Sequence, residues 1–480
     1  LMPLAAGLLA SFLKKDTDIF KNYNIDINII RENPNTTAQR CHVADVQAFS
    51  CYSWNFQQNV AVAKKIKHLN PNCLIVFGGP SISLSQRSEE LKVFFNKYNF
   101  VDVVVHGMGE WTLLDILKNR LLDKDLSNID SISYKSKKTK TGYTSNNHSK
   151  VNFKKNVNEI PSPFLDGTFD KLLAQHKEII SGTLWETNRG CPFSCTFCVQ
   201  GDSIFNNVEH FNIERLRDEL EWIGRNKIPY IFCTDANFGM FKRDIEIAKM
   251  ICEIKEKYKF PNYFMVNWGK NLSERVLKVA KVLRSSGLPG RMTLSRQSLN
   301  QNTLEAVKRK NISMSTYDDM KVEAQKNNLT SYSELILGLP SDTYDTFTDG
   351  LVKCFDKQYS HVVLVYLARL LQGTEMGSPE SIKKYGIITR TMKVGFGLYE
   401  KIEGGVDEIE DIIVGNKDMP IKDWKKAHTF SAISLTVYNY RLGFYILNYL
   451  KDKYSIDYKE FFEYLKILSR SCVHASSVKL

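Results

Sequence analysis

The sequence predicts an α/β protein made of two successive strand-and-helix units and a helical tail. Three observations carry that prediction. Strand-like apolar runs alternate with amphipathic helical runs through residues 1–155. The alternation resumes over residues 181–385, where six strand candidates are separated by helical runs. Three cysteines, Cys191, Cys195 and Cys198, follow the first of those six strands.

Composition narrows the possibilities. A chain of 480 residues has room for about three domains. Its 43% hydrophobic content permits sizeable cores. The net charge of +12 comes from scattered lysines, with no basic arm, which argues against a nucleic-acid partner. The apolar stretch Leu1–Leu13 is too short to span a bilayer and lacks a basic start and a cleavage site. The ten cysteines show no disulfide framework, so a reducing, cytoplasmic setting is expected and no membrane partner. Residues 4–15 read as a helix where an α/β unit would open with a strand, so a short N-terminal segment is expected to be missing.

In residues 1–155, Ala44–Ser50 reads as a strand and Gln58–Leu69 as a helix. Cys73–Phe77 is the second strand and leads into Gly78, Gly79 and Pro80. Val101–Val105 is the third and leads into Gly107-Met108-Gly109-Glu110 and a helix to about residue 122. This βαβα order predicts a parallel, Rossmann-like sheet with ligands at the carboxyl ends of its strands. Loops 50–55, 78–80 and 107–110 then share one edge, and their glycines allow close approach of a bulky ligand. Ser131–Tyr134 and Lys140–Thr144 read as a hairpin. Residues 156–180 read as a linker, broken by Pro161 and Pro163.

In residues 181–385 the strands are Thr183–Thr187, Tyr230–Thr234, Tyr263–Asn267, Met292–Ser295, Ser333–Leu337 and Val362–Tyr366. Helical runs near 213–226, 244–257, 273–285, 301–309, 317–327 and 344–357 fill the gaps. The pattern predicts a (β/α)6 partial TIM barrel with its chemistry at the carboxyl ends of the strands. Residues 386–480 read as a helical C-terminal domain capping the barrel, rich in aromatics from Trp424 to about Leu468. An aromatic substrate pocket is the alternative.

The cysteines stand as C-x3-C-x2-C. Three thiolates so close can hold three irons of one 4Fe–4S cube and leave the fourth iron open. Zinc with a distant fourth ligand, or buried thiols, are the other readings. Phe197, between the last two cysteines, is placed to pack on an adenine at the cluster. The run Trp185–Cys198 resembles the first strand and loop of the radical S-adenosylmethionine superfamily. That resemblance implies reductive cleavage of S-adenosylmethionine to a 5′-deoxyadenosyl radical. It also implies an electron donor such as flavodoxin or ferredoxin.

Carried over residue by residue, the resemblance gives Asp235 and Asn237 the cofactor's ammonium, in place of the usual G-G-E. A helix cap or turn is the rival role for both. Ser295, Gln297 and Ser298 resemble the ribose-contacting motif, and Ser298 also suits a helix cap. Glu334–Ser341 resembles G-x-I-x-G-x-x-E, with Ile336 packing on adenine and Gly338 giving clearance. It departs from the pattern at Glu334 and Ser341. Gly373-Thr374-Glu375 resembles another recurrent loop. Arg309 reads as a solvated helix face rather than a contact to the cofactor carboxylate.

The first unit resembles the cobalamin-binding-type domain of class B radical enzymes. The matching residues are Ser50, Tyr52, Trp54, Asn55, Gly78, Gly79, Pro80, Gly107, Gly109 and Glu110. Met108 stands where that family often has Glu, and none of the nine histidines sits in D-x-H-x-x-G, so no histidine lower ligand is expected. The expected activity is methyl transfer to an unactivated carbon or phosphorus of a small-molecule or peptide substrate. Radical cyclisation or rearrangement without methyl transfer is the main alternative. A methylthiotransferase is another, with Cys41, Cys51 and Cys73 on a second cluster, although buried thiols explain these better. A non-catalytic iron–sulfur protein is the alternative from a different class.

Overall fold

The computed structural model describes all residues except 83–87, 137–141, 147–154, 203–204, 270–273, 289–291, 356–360, 395–402 and 478–480. Strands β1 (Val46–Ser50), β2 (Leu74–Gly78) and β3 (Val103–Val105) lie side by side and parallel. An antiparallel pair, β4 (Ile132–Lys135) and β5 (Tyr143–Ser145), extends the sheet. Residues 140 and 141 of the expected hairpin lie outside the described residues. The period of two sorts the side chains. Ile75 and Phe77 join Val62, Ile66, Leu91 and Phe94 on one face. Leu74 and Val76 join Leu113, Ile116 and Leu117 on the other. Both faces are covered, as a parallel sheet requires.

Helix Leu4–Lys14 packs on helix Gly109–Leu121, and Met2 pairs with Thr183 through a 2.9 Å bond to the Gly182 carbonyl. The start of the chain therefore lies between the sheet and the barrel. The segment read as a linker is also built into this seam. Its prolines stop regular structure, yet Phe164 and Phe169 are fully buried and helix Thr168–His176 follows them.

The barrel strands are β6 (Thr183–Trp185), β9 (Tyr230–Phe238), β10 (Tyr263–Trp268), β11 (Met292–Gln297), β12 (Ser331–Leu337) and β13 (His361–Leu367). A short ladder, β7 (Asn188–Arg189) with β8 (Glu209–His210), follows β6. The six barrel strands run parallel in two sheets, β6-β9-β10 and β11-β12-β13. Both β9 and β11 run further than their apolar cores suggest, so Asp235, Asn237 and Gln297 are strand residues rather than loop residues. In β10, Phe264, Val266 and Trp268 are buried, while Tyr263 and Met265 on the alternate positions are exposed.

The C-terminal region is helical, with helices Ile421–Asn439, Phe444–Tyr454 and Tyr458–Ser477, but it opens with a hairpin the sequence reading lacks. Strands β14 (Ile388–Lys393) and β15 (Ile409–Gly415) pair antiparallel. Beyond the end of β13, Ile413 donates to the Ala368 carbonyl at 2.8 Å and Leu370 to the Asp411 carbonyl at 2.8 Å. No described helix is long and apolar enough to cross a membrane.

Cys51 and Cys73 are buried in the first sheet's core. Burial pushes the Cys51 thiol up to about 12 and the Cys73 thiol up to about 11. Thiols held protonated in this way are poor cluster ligands and poor nucleophiles. Iodoacetamide at about pH 8 is therefore expected to leave Cys51 unlabelled in the folded protein and to label it in urea. Native labelling of Cys51, read by peptide mass spectrometry, would contradict this burial.

Candidate active site

The cysteine loop is closed at its base by β7 and β8, and Cys191 donates its N–H to the Phe205 carbonyl at 2.8 Å. Gly190 has φ +116, and a side chain there would run into the Asn207 carbonyl. The loop is also pinned by the segments that follow β11 and β13. Thr196 donates to the Val307 carbonyl at 3.2 Å and receives Met376 N–H at 2.8 Å. Cys191 and Cys195 are buried and Cys198 is half-buried; none of the three is in a disulfide. Among the described residues no three Cys, His, Asp or Glu side chains close on a single metal ion. The loop carries three soft thiol groups at C-x3-C-x2-C spacing, a donor set that suits a cluster.

Asp235 and Asn237 divide the work at the end of β9. Asp235 Oδ1 accepts the N–H of Thr187 at 2.7 Å and of Asn188 at 3.2 Å. Its Oδ2 accepts the Thr187 hydroxyl and, at 2.6 Å, the Asn188 amide. A carboxylate has about four acceptor sites, and all are taken. Asp235 thus clamps the chain between β6 and the cysteines, which corrects its expected role at the cofactor's ammonium. Burial pushes its pKa up to about 7, against those hydrogen bonds. Asn237 donates to Cys191 Sγ at 3.2 Å, while its own Oδ1 is buried without a partner. An acceptor left open beside a cluster cysteine fits an ammonium donor.

At the other strand ends, Phe197 and Ile336 pack against one apolar group formed by Val307, Leu339, Ala368, Met376 and Ile413. The two residues expected at the adenine are thus brought together. Ser295 donates its hydroxyl to Glu334, and Ser298 accepts the Asn300 N–H at 3.1 Å as a turn cap. Gln297 stands at φ +62, beside an irregularity in the β11 ladder. Burial pushes the Glu334 pKa up, opposed by hydrogen bonds from Ser295 and Tyr366. Arg309 is not a solvated helix residue. It is buried, donates to the Ser295 carbonyl, and bonds Asn311 at 2.9 Å. Desolvation lowers its pKa, and the thiol of Cys195 is among its partners.

Gly338 has φ +102, but its clearance serves the protein itself. A Cβ there would lie 3.0 Å from the Ile413 carbonyl and 3.4 Å from Trp424 Nε1. The indole nitrogen of Trp424 is buried without a partner at this strand end. Nothing in the local sequence marked Trp424 as a site residue; only its place in an aromatic helical run did.

The first sheet presents its loops at the same junction. Tyr52 and Trp54 stack at 4.4 Å, and 48% of Trp54 is exposed. Asn55 turns its side chain back, accepting Tyr52 N–H at 2.7 Å and donating to the Ser50 carbonyl at 2.9 Å. Gly78 accepts Cys51 N–H at 2.7 Å, and Pro80 opens a 3-10 turn. Gly79, at φ +101, has no room for a Cβ against the Cys51 backbone. Gly107, at φ +77, shapes the turn that starts the helix at Gly109. Glu110 is not an open cofactor contact: it is buried and pairs with Arg189 at 2.9 Å. Arg189 also holds Glu186 through two bonds, at 3.1 and 2.9 Å. The stacked aromatic pair, with Trp54 exposed, and the glycine loops at one strand edge suit a large planar cofactor.

Asp235→Ala leaves the Thr187 and Asn188 donors stranded, at about 1–3 kcal/mol for each buried donor without a partner. The variant is expected to lose stability in urea and to retain less iron after reconstitution than wild type. The pH dependence is also set. The folded state holds the Asp235 proton more tightly than the unfolded chain does. Stability from this group therefore falls as pH rises from about 4 to about 7. Asp235→Asn is expected to remove that decline; an unchanged slope in urea melts would refute the assignment.

The radical SAM superfamily profile matches residues 185–350. The chain is 32% identical over 472 residues to the cobalamin-dependent radical SAM methyltransferase TokK of Streptomyces tokunonensis. It is 31% identical to the 2-(S-pantetheinyl)-carbapenam-3-carboxylate methyltransferase of Streptantibioticus cattleyicolor. Each alignment covers 97% of this chain and 67% of the relative. Among solved structures, the methyltransferase TsrM of Kitasatospora setae, with tryptophan and a SAM analogue bound, superposes with a TM-score of 0.62 at 12% identity. That match covers 89% of this chain and 86% of TsrM. OxsB with aqua-cobalamin bound superposes at 0.56 with 20% identity, covering 80% of this chain and 54% of OxsB. These two likenesses establish a shared fold. The relatives, together with the cysteine loop, place this chain among the cobalamin-dependent radical S-adenosylmethionine enzymes, whose cofactors are a 4Fe–4S cluster, S-adenosylmethionine and cobalamin.

Proposed function

We propose that the protein transfers a methyl group to an unactivated carbon of a small carboxylated metabolite, of the general kind named for the carbapenam relative. The observation that carries this reading is the Glu110–Arg189 pair at 2.9 Å. Glu110 belongs to the first sheet's loops, and Arg189 lies two residues before Cys191. The pair ties the cobalamin-side loops to the cysteine loop, which supports a shared site between them.

When bound, the cluster with S-adenosylmethionine supplies the radical, and cobalamin supplies the methyl group. The chain's own residues bind, orient and exclude. Cys191, Cys195 and Cys198 would hold the cluster, and Asn237 Oδ1 would accept the ammonium. Phe197 and Ile336 offer the apolar surface for adenine. Ser50, Tyr52, Trp54, Asn55, Gly78, Gly79, Pro80, Gly107 and Gly109 would line the cobalamin side. The substrate would enter between the cobalamin-side loops and the cysteine loop. A flavodoxin or ferredoxin would deliver the electron.

The test is anaerobic reconstitution with iron, sulfide and cobalamin, followed by S-adenosylmethionine, a reductant and pantetheinylated carbapenam carboxylates. Mass spectrometry is expected to find methylated product together with 5′-deoxyadenosine, and neither with Cys195→Ala. Deoxyadenosine without methyl gain, on these or related carboxylates, would favour rearrangement chemistry instead.

A further inference from the structure

We propose that Glu408, from the C-terminal hairpin, is a positioning residue for the cobalamin-side loop. The inference rests on the reading that cobalamin sits against Tyr52 and Trp54. Helix Phe56–Leu69 follows that loop directly, and the first N–H groups of a helix need acceptors from outside it. Asn55 occupies the N-cap, but its side chain makes no cap bond. It is turned back to Tyr52 and Ser50 instead. The missing acceptor comes from some 350 residues away. Glu408 Oε2 accepts Gln57 N–H at 2.7 Å, and Oε1 accepts Gln58 N–H at 3.1 Å.

The same carboxylate holds the other side of the loop. Glu408 Oε1 pairs with Arg31 at 3.0 Å, and Arg31 donates to the Trp54 carbonyl at 3.1 Å and the Val406 carbonyl at 3.1 Å. Only 1% of the Glu408 side chain is exposed. A carboxylate so buried persists because a cation and a helix N-terminus both face it. Trp54 is thereby gripped at its backbone while its ring stays exposed and stacked on Tyr52.

Glu408 has a further consequence through its place in the chain. It immediately precedes β15, whose Ile413 carbonyl fills the clearance at Gly338. Asn416, just past β15, donates to the Leu339 carbonyl at 3.0 Å. One short strand is thus fixed at one end to the loop after β12, where the adenine residues gather. At its other end it is fixed to the loop that presents Tyr52 and Trp54. The two cofactor-side surfaces are held in register by a segment that belongs to neither.

The experiment uses the full chain, purified anaerobically without cobalamin, as wild type, Glu408→Ala, Glu408→Gln and Trp54→Ala. Aquacobalamin affinity is measured by equilibrium dialysis, alongside S-adenosylmethionine affinity, iron content and amide hydrogen exchange. Glu408→Ala is expected to weaken aquacobalamin binding by about tenfold or more. Glu408→Gln keeps one amide acceptor but no ion pair, so a loss of about threefold to fivefold is expected. Exchange at Gln57 and Gln58 is expected to rise in both, with S-adenosylmethionine affinity and iron within about twofold of wild type. Should Glu408→Ala fail to fold, Glu408→Gln decides on the same readouts. Aquacobalamin affinity within about twofold of wild type in the Glu408 variants, with Trp54→Ala weakened, overturns the role of Glu408 alone. Equal losses of both cofactors mark a general structural role and also overturn it. Wild type that binds no aquacobalamin, or binds it no better than Trp54→Ala, overturns the placement of cobalamin and this proposal with it.

Discussion

The guanidinium of Arg189 sets where the two halves of the site meet. Its side chain is 21% exposed and lies between Glu186 and Glu110, whose side chains are 17% and 7% exposed. Burial works against its charge, and the two carboxylates outweigh that. Such a group adds little net stability over an apolar filling, yet removing one partner typically costs about 3–5 kcal/mol. Its effect is therefore on geometry. Glu110 reaches Arg189 only when the start of helix Gly109–Leu121 stands against the strand leading to Cys191. The ion pair fixes the start of that helix against the strand leading to Cys191.

Within the barrel, the end of β9 does the equivalent sorting. Asp235 and Asn237 are two residues apart there, in the stretch where the pairing with β10 shifts register. One is saturated by the chain between β6 and the cysteines, and the other keeps an acceptor open next to Cys191. A rigid loop and an available ligand contact need opposite things from a polar side chain. This strand end supplies them two residues apart.

Much of this was legible because it is local. The spacing of Cys191, Cys195 and Cys198 points to a cluster without reference to anything distant. Each of the six barrel strands lies where an apolar run predicts it, since alternation against a helix layer leaves a direct trace in sequence. What escaped was long-range. Arg309 has the pattern of a surface helix residue, and only the tertiary fold reveals that it ends beside Ser295 and Cys195. Glu110 sits in a loop that resembles a cofactor motif, and its partner is 79 residues away. The hairpin of β14 and β15 has largely exposed polar residues on β14, so it carries little hydrophobic signal. Helix Thr168–His176 was obscured by the prolines just before it, although those prolines only set where it starts.

The departures of the β12 loop from the family pattern are resolved by the same long-range logic. Ser341 stands where a closing glutamate is usual, and its φ of +61 turns the chain sharply. The next residue, Asp342, is fully buried, and burial pushes its pKa up to about 6. Its Oδ1 takes a 2.5 Å bond from Thr346, while its Oδ2 is buried without a partner. Asn300, beyond the end of β11, donates to the Ser341 carbonyl at 2.9 Å. A buried acid therefore still stands at the end of β12, one position later than the motif places it. A pattern match scores the substitution at Ser341 as a loss. The turn it permits delivers the acid from its neighbour, so the requirement at this strand end is a buried carboxyl between two loops rather than a glutamate at a fixed number.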